Sequence, residues 1–237
     1  MRIQELLFER VNYVTVNRRL NPKLWENDQL KSEIKNTLIK IAEKFQEFIG
    51  IDLDVVDFTI TGSNANYTWT DFSDIDLHII VKGMPDEKER ELYNAKKSLW
   101  SEEHNITIKG LPVECYVQGE KEKHHSTGVY SIVADQWIEK PKKVKPRIND
   151  AAIKIKKDSI MHDIEIALLS KNPTKLRSVK DKITKMRKAG LQKAGEWSTE
   201  NVIFKLLRNV GIIDKLTQEI RDLEDEELSL ETAQVLQ

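Results

Sequence analysis

The sequence predicts an α+β fold, in which helices and strands surround one mixed β-sheet, followed by an all-helical second lobe. Several short stretches between residues 53 and 139 alternate polar with apolar residues or are rich in β-branched residues, which is typical of strands. One longer stretch before them carries apolar residues at the three- and four-residue spacing of a helix. Beyond residue 150 every periodic segment has this helical spacing.

Length and composition favour a folded protein with two lobes. The chain has 237 residues, of which 39% are hydrophobic and 32% charged, and this balance lies well above that of disordered chains. We predict an α+β domain over residues 1–140 and a helical domain over residues 151–237. Residues 141–150 lie in a lysine-rich stretch with two prolines and are predicted to be a linker.

The cellular setting is predicted from three absences in the sequence. Cys115 is the single cysteine, so an internal disulfide is impossible, and we expect this residue to be a small buried hydrophobe. The first residues lack the apolar core of a signal peptide. No apolar run approaches the roughly 18 residues that a membrane span needs. We therefore expect a soluble, cytoplasmic protein without a membrane partner.

The first predicted helix extends over residues 21–50 and ends at Gly50. Its apolar stripe consists of Leu30, Ile34, Leu38, Ile41, Phe45 and Phe48. Residues 53–61 follow as a strand that ends at Gly62, and residues 74–81 form a second strand with alternating polarity.

A second helix is predicted over residues 87–104, after a turn. We expect its inward face to consist of Leu92, Ala95, Leu99 and Trp100. Short strands at 106–108 and 112–118 then flank a turn at Gly110, and two more strands are predicted at 129–133 and 136–139.

Four helices are predicted in the second lobe. They cover residues 150–170, residues 174–190 with an end at Gly190, residues 198–211 with Ser198 as the N-cap, and residues 212–228.

The stretch "TGSNANYTWTDFSDIDLHIIV", residues 61–81, holds the residues with the clearest chemical meaning. Gly62 lacks a Cβ and Ser63 carries a hydroxyl, so a turn built from them lets the backbone approach a phosphate. Asp74 and Asp76 project from one face of a strand because side chains alternate. Their oxygens are the ligands that hard divalent cations prefer.

This arrangement resembles the signature of the DNA polymerase β-like nucleotidyltransferase superfamily. The motif is Gly-Ser after an apolar strand, a gap of ten residues, and Asp-x-Asp inside the next strand. The superfamily has a third carboxylate on a neighbouring strand, and Glu114 stands at that place in "PVECYV", although Asp is usual there. The resemblance covers residues 24–140 and implies a palm-like mixed sheet. The whole chain also resembles nucleotidyltransferase-domain proteins of bacteriophage genomes, which would place it in the host cytoplasm.

The resemblance also implies roles for these residues. Gly62 and Ser63 would hold the phosphates of a nucleoside triphosphate such as ATP, and Ser73 either adds a nucleotide contact or shapes the loop. A set of three carboxylates, Asp74, Asp76 and Glu114, would act in catalysis by holding two Mg²⁺ ions, for which Mn²⁺ can substitute. The expected reaction is attack of an acceptor hydroxyl on the α-phosphate, with pyrophosphate leaving.

Simpler interpretations stay open for several residues. Alternating charge also occurs on exposed sheet faces, and Asp54 or Asp57 could line the cleft in place of Glu114. His124 and His125 lie in a polar loop and are expected to be solvated.

Three residues of the 61–81 stretch also have two possible roles. His78 either supports the carboxylates or contacts substrate. Tyr67 and Trp69 either stack on a base or pack into the core, and the core is favoured.

The acceptor is predicted from an uneven charge distribution. Residues 139–193 contain 17 Lys and Arg against 6 acids, whereas residues 196–237 contain 4 against 10. The basic segment favours RNA as the acceptor, with a tRNA-like 3′ end as one form of it, over simple solvation of the lysines. The acceptor-binding candidates are Lys180, Lys182, Lys185 and Arg187.

Other functions fit the same motif. The alternatives are synthesis of oligonucleotides or cyclic oligonucleotides, nucleotidylation of a small molecule or a protein, and an inactive nucleotide-binding module. The sequence does not predict the oligomeric state. The acidic end of the chain could repel nucleic acid, contact the basic helices or be solvated.

Overall fold

The computed structural model describes residues 16–122, 126–143 and 149–229. These residues divide into two compact units, 16–143 and 149–229, and each has its own hydrophobic core. The first unit contains a mixed sheet and two long helices, and the second contains helices, as the sequence predicted. The predicted linker lies partly outside the described residues, so the exact domain bounds remain a prediction.

A six-stranded sheet organises the first unit. Its strand order is β5, β6, β4, β3, β7, β8; the β4–β6 pair is parallel and the other pairs are antiparallel. The described residues form eight strands: β1 (Trp25–Glu26), β2 (Gln29–Leu30), β3 (Val55–Thr61), β4 (Ile75–Val81), β5 (Thr107–Ile108), β6 (Leu111–Gly119), β7 (Val129–Ser131) and β8 (Gln136–Glu139).

The central strands show why one face of this sheet is polar. Ile75, Leu77 and Ile79 of β4 are fully buried in the core, and Asp76 and His78 alternate with them on the opposite face. The predicted strands at 53–61, 74–81 and 112–118 are therefore confirmed to within about two residues at their ends. Cys115 is buried in the same core, and burial raises the pKa of its thiol to about 12, as expected of an unreactive hydrophobe.

The first helix, α1 (Ser32–Ile49), begins about eleven residues later than predicted and ends at Gly50 as expected. The preceding β1 and β2 form a hairpin, in which Asn27 and Asp28 both take the positive φ angles of a tight two-residue turn. Trp25 of this hairpin stacks on Trp137, with 4.8 Å between the ring centroids. The predicted start of the helix at residue 21 was wrong, because the hairpin buries its apolar residues at a spacing that resembles a helical stripe.

The second helix, α2 (Glu87–Glu103), has the predicted length but a different inward face. Tyr93 and Trp100 are buried, whereas Leu92 and Leu99 are 38% and 48% exposed. The prediction of Leu92 and Leu99 as core residues was wrong by one position, because the large aromatic residues at i and i+7 take the buried stripe. A capping box formed by Asp86 and Glu89 fixes the start of this helix.

The second unit consists of α3 (Asp150–Leu169), α4 (Pro173–Ala194), α5 (Thr199–Asn209) and α6 (Ile212–Leu228). Ser198 is the N-cap of α5 and its side chain accepts the Asn201 N–H, as predicted. Gly190 does not end α4, which continues to Ala194. A Cβ at Gly190 would lie 2.6 Å from Glu200 Cβ, so this glycine serves close helix packing instead. None of the helices in the described residues is long and apolar enough to span a bilayer.

Candidate active site

Three carboxylates converge at one end of the polar sheet face. Asp76 on β4 is the register partner of Glu114 on the parallel strand β6, and Asp74 lies immediately before β4. Ligand oxygens of Asp74, Asp76 and Glu114 all lie within 4.8 Å of one another, and the three residues are half-buried. Three carboxylates this close repel one another unless a cation is shared between them. Their chemistry therefore fits a hard divalent cation with oxygen ligands.

The turn that precedes these strands is in contact with them. Gly62 has φ +71°, a conformation that L side chains rarely adopt, and a Cβ there would lie 1.8 Å from Asp76 Oδ2. The glycine is required both by its backbone angle and by the space that the Asp76 carboxylate occupies. The predicted phosphate turn and the predicted metal strand thus form one site.

Ser63 begins a short 3₁₀ segment, Ser63–Ala65, and is half-buried beside this turn. The next residue, Asn64, is fully buried, and its Nδ2 donates to the backbone oxygens of Ser73 and Asp74, at 3.2 and 2.7 Å. Asn64 therefore ties the Gly-Ser turn to the loop that carries the first carboxylate. This role of Asn64 was not predicted from the sequence, and its position directly after the Gly-Ser pair was the signal that could have identified it.

Ser73 has a structural place in the loop before β4. It is 3% exposed, and its Oγ accepts the N–H of Thr70 at 2.9 Å. These contacts fit the alternative that Ser73 shapes the loop, and its nucleotide contact remains a prediction. In the same stretch, Tyr67 is 9% exposed and packs in the core, as favoured.

A lysine on α2 and a tyrosine on β6 hold the third carboxylate. Lys97 Nζ lies 2.8 Å from Glu114 Oε2 and 3.5 Å from the centroid of the Tyr116 ring, and the Tyr116 hydroxyl donates to the same Oε2 at 2.5 Å. Neither residue was predicted from the sequence to belong to the site. The signal available for Tyr116 was its parity with Glu114 in the strand, whereas nothing in the sequence links α2 to this site.

These contacts set the charge states of the group. Burial by itself raises the pKa of Glu114, but the charge of Lys97 and the hydrogen bonds from Lys97 and Tyr116 outweigh it and hold the pKa below its usual value. Burial and the negative charges of Glu114 and Asp76 raise the pKa of Tyr116, so its hydroxyl stays protonated and donates. Glu114 is therefore kept ionised, as a metal ligand must be.

His78 lies on the same face, further from the turn. Its Nε2 is 3.1 Å from Thr61 Oγ1, its Nδ1 is 2.7 Å from Gln118 Oε1, and its ring stacks on Tyr116. Both ring nitrogens are thus engaged by protein groups, which fits the supporting role that the sequence left open.

The alternative acids lie elsewhere. Asp57 accepts hydrogen bonds from the backbone N–H groups of Phe58 and Val133. Asp54 pairs with Lys82 and lies just before the first residue of β3, whereas the three carboxylates lie near the last residue of that strand. His124 and His125 lie outside the described residues.

The four acceptor-binding candidates lie on α4 of the helical unit, and two of them make contacts within it. Lys182 pairs with Asp163 of α3 at 2.6 Å, and Arg187 donates to Asn201 Oδ1 and lies over the Phe204 ring. The other two, Lys180 and Lys185, are half-buried and exposed, respectively.

The acidic end of the chain contacts the basic helices. Arg177 of α4 forms a bidentate ion pair with Glu224 of α6, and Lys171 pairs with Glu219 at 3.1 Å. Of the three roles left open for the acidic end, contact with basic residues is the one that these pairs support.

Comparison with known proteins identifies a family. The nucleotidyltransferase domain family matches residues 38–226, about four fifths of the chain. A comparison with curated proteins found no match. The solved structure of a STING-associated CdnE c-di-GMP synthase from Capnocytophaga granulosa aligns with 84% of this chain and 83% of its own, at 15% identity and a TM-score of 0.23. At that TM-score the alignment bears on neither fold nor activity.

Proposed function

The chain belongs to the nucleotidyltransferase domain family, and we propose that it transfers a nucleoside monophosphate from a nucleoside triphosphate to an acceptor hydroxyl, with release of pyrophosphate. One observation carries this proposal. Asp74, Asp76 and Glu114 converge within 4.8 Å, beside a Gly62–Ser63 turn so close that only glycine leaves room for the Asp76 carboxylate. A phosphate turn and a metal-binding carboxylate set are the two parts that this chemistry needs.

The three carboxylates would hold the divalent cations, with two Mg²⁺ ions as the expected number and Mn²⁺ as a substitute. Cations bound there supply positive charge that favours ionisation of the acceptor hydroxyl and stabilises the leaving pyrophosphate.

The chain's own groups would position the reactants. The Ser63 hydroxyl donates to a phosphate oxygen, and Gly62 lets the backbone and the Asp76 carboxylate approach each other. Lys97 and Tyr116 keep Glu114 ionised and hold its carboxylate in place through Oε2. Most of the rate would then come from positioning and electrostatics, because phosphoryl transfer leaves little covalent work to the protein.

RNA remains the acceptor predicted from the basic segment, but the structure gives that prediction less support than the charge count did. Lys182 and Arg187 are engaged inside the helical unit, which leaves Lys180 and Lys185 as the acceptor-binding candidates to test. A nucleotide acceptor, which gives linear or cyclic oligonucleotides, and a small-molecule or protein acceptor are the other outcomes that the experiment must separate.

The test is incubation with each of the four α-³²P-labelled nucleoside triphosphates and Mg²⁺ or Mn²⁺, with and without total RNA. Pyrophosphate release measures turnover, and the α-label follows the transferred nucleotide. We expect release with at least one nucleotide and none from Asp76→Asn, while Asp54→Asn, at the other end of β3, retains it. Absence of release under every condition, from a protein that still binds nucleotide, would establish the inactive binding module instead.

The products identify the acceptor. Label in RNA that is lost after nuclease treatment, and reduced by Lys180→Glu and Lys185→Glu, supports RNA. Label in nuclease-sensitive material made without added RNA supports an oligonucleotide product, and label on the protein or on a small molecule supports the remaining class.

A further inference from the structure

A second segment lies against the Gly62–Ser63 turn, far from it in sequence. We propose that Ser126, Thr127 and Gly128 form a second wall of the triphosphate subsite, in which Thr127 contacts the β- or γ-phosphate and Ser126 positions the turn. This inference rests on the proposed function. It adds a neutral, hydroxyl-based phosphate contact to the residues that the Gly-Ser motif supplies.

Ser126 fixes the turn through its side-chain oxygen. Its Oγ accepts the Gly62 N–H at 3.1 Å and the Gly128 N–H at 3.3 Å, and it donates to the Gly128 carbonyl oxygen at 2.9 Å. Three backbone groups therefore hold this hydroxyl in place. The Gly62 N–H donates to Ser126, so other groups must supply the hydrogen bonds to a phosphate. The role of Gly62 at the subsite is to leave space for the Asp76 carboxylate.

Thr127 supplies such a donor. Its Oγ1 accepts a hydrogen bond from Asn66 Nδ2 at 2.5 Å, and its side chain is exposed. An oxygen that accepts from an amide keeps its own O–H as a donor for another group, and the exposure of Thr127 leaves that donor accessible to a ligand. Asn66 in turn donates its backbone N–H to the Ser63 carbonyl oxygen at 3.1 Å, so Asn66 links Thr127 to the backbone of the predicted phosphate residue.

Gly128 brings the two segments into contact. A Cβ at this position would lie 1.9 Å from the Ala65 carbonyl oxygen, a distance that no real side chain could occupy. Gly128 is buried, and the segment that it belongs to therefore lies directly on the 63–65 turn. Ser126 contacts Gly62, Thr127 contacts Asn66 and Gly128 lies against Ala65, so all three residues of the segment contact residues 62–66.

Hydroxyl donors suit this position chemically. Divalent cations held at the site, together with Lys97, would compensate the charge of its carboxylates, and neutral hydroxyl groups would add hydrogen bonds to the phosphates without competing for those carboxylates. Such contacts depend on the phosphates beyond the α-phosphate. The wall is thus expected to favour triphosphates over monophosphates.

The test compares binding of a nucleoside α,β-methylene triphosphate and of the matching nucleoside monophosphate, by calorimetry on the full chain with Mg²⁺. Thr127→Val keeps the shape and removes the hydroxyl, and we expect it to weaken triphosphate binding about tenfold or more, as for loss of a hydrogen bond to a charged group. Monophosphate binding should be unchanged. Thr107→Val, at an exposed threonine on β5, is the matched control and should bind both ligands like the wild type.

Ser126→Ala should weaken triphosphate binding in the same way, and Ser126→Thr, which keeps the hydroxyl, should restore most of it. A purely structural role for the segment would lower the affinities for triphosphate and monophosphate together, and this result would overturn the inference. Wild-type triphosphate affinity in both Thr127→Val and Ser126→Ala would overturn it as well. A wild-type protein that binds no triphosphate would overturn the proposed function, and the inference with it.

Discussion

The two units of this protein use charged residues in opposite ways. In the α+β unit, strand register pairs Asp76 with Glu114 beside Asp74, although Glu114 is about forty residues from the other two acids. In the helical unit, the cations of the most basic segment spread along helices, and several pair with acids on neighbouring helices, as Lys182 does with Asp163 and Arg177 with Glu224. A high local density of one charge in the sequence therefore does not by itself bring those charges together, whereas strand register brings a few acids from distant positions into one group.

The difference has a physical origin. Like charges placed close together on a half-buried sheet face cost folding free energy unless a cation compensates them. Such arrangements are concentrated at functional sites. Exposed ion pairs on helices cost little and stabilise little, about 0.2–1 kcal/mol each. Substitutions in the two units should accordingly differ in what they change: activity in the first, and a small increment of stability in the second.

The largest effect is expected at the carboxylates. Asp74→Asn and Asp76→Asn keep the side-chain shape but remove a charge that the metal ions need, so nucleotide-dependent pyrophosphate release should fall to background. The midpoint temperature of thermal unfolding should be unchanged or slightly raised, because each substitution relieves repulsion between like charges. Full activity in the double variant would refute the assignment of the metal site.

A smaller but still large effect is expected at Gly62. Gly62→Ala places a Cβ 1.8 Å from Asp76 Oδ2 and forces a side chain into a positive φ, so both stability and activity should fall. Gly110→Ala is the matched control, because Gly110 has φ +79° but no atom within 4 Å of its added Cβ. Each variant should lose about 1–3 kcal/mol of unfolding free energy from the backbone angle. The loss in Gly62→Ala should be the larger, because its φ of 71° with ψ of −158° is a conformation that almost only glycine adopts. Only Gly62→Ala should lose activity, and equal activities would show that the close contact with Asp76 is unimportant.

An intermediate effect is expected at Lys97, where it depends on pH. Lys97 helps to hold the pKa of Glu114 below its usual value of 4.5. In the metal-free protein, the ion pair therefore contributes its full stabilisation above pH 4.5. This contribution is lost as the pH falls through the lowered pKa of Glu114. Lys97→Met leaves burial to raise that pKa. The loss of unfolding free energy in this variant should be largest at neutral pH and shrink under acid conditions, which urea titrations in EDTA at pH 7 and pH 3.5 will measure. A loss independent of pH would contradict the coupling to Glu114.

With metal present, the same substitution should raise the Mg²⁺ concentration for half-maximal activity, because Glu114 is no longer held in place. The expected factor is about 10 to 100, the range for groups that orient a metal ligand. Lys96→Met, one residue earlier on α2, is the control, since Lys96 donates to the Phe48 carbonyl oxygen instead.

The smallest effect is expected in the helical unit. Lys182→Ala should lower the unfolding free energy by about 0.2–1 kcal/mol, because this pair with Asp163 is largely exposed. A double-mutant cycle with Asp163→Ala isolates the pair, and pyrophosphate release without RNA should not change. A loss of that release comparable to the loss in Asp76→Asn would remove the contrast between the two units.

Most elements of the fold could be predicted from the sequence, because each has a local signal. The alternation of β4, the length of α2 and the Ser198 cap all follow from neighbouring residues. The misplaced start of α1 shows the limit of this reasoning, since the hairpin at residues 25–30 buries residues at a spacing that also fits a helix. Gly190 shows another limit, because a glycine at the end of an apolar pattern can serve close packing as well as termination.

The residues of the candidate site could be identified from the sequence. Residue types and spacing identify three features: a Gly-Ser turn, an Asp-x-Asp strand and a third acid in a later strand. This identification does not depend on how the side chains pack. The other groups that contact these residues could be identified from the folded structure alone. Lys97 and Ser126 reach Glu114 and Gly62 through a helix and a loop whose positions depend on long-range packing. No local pattern encodes those contacts, because each arises from side chains or backbone groups that meet only after the sheet and its helices have assembled.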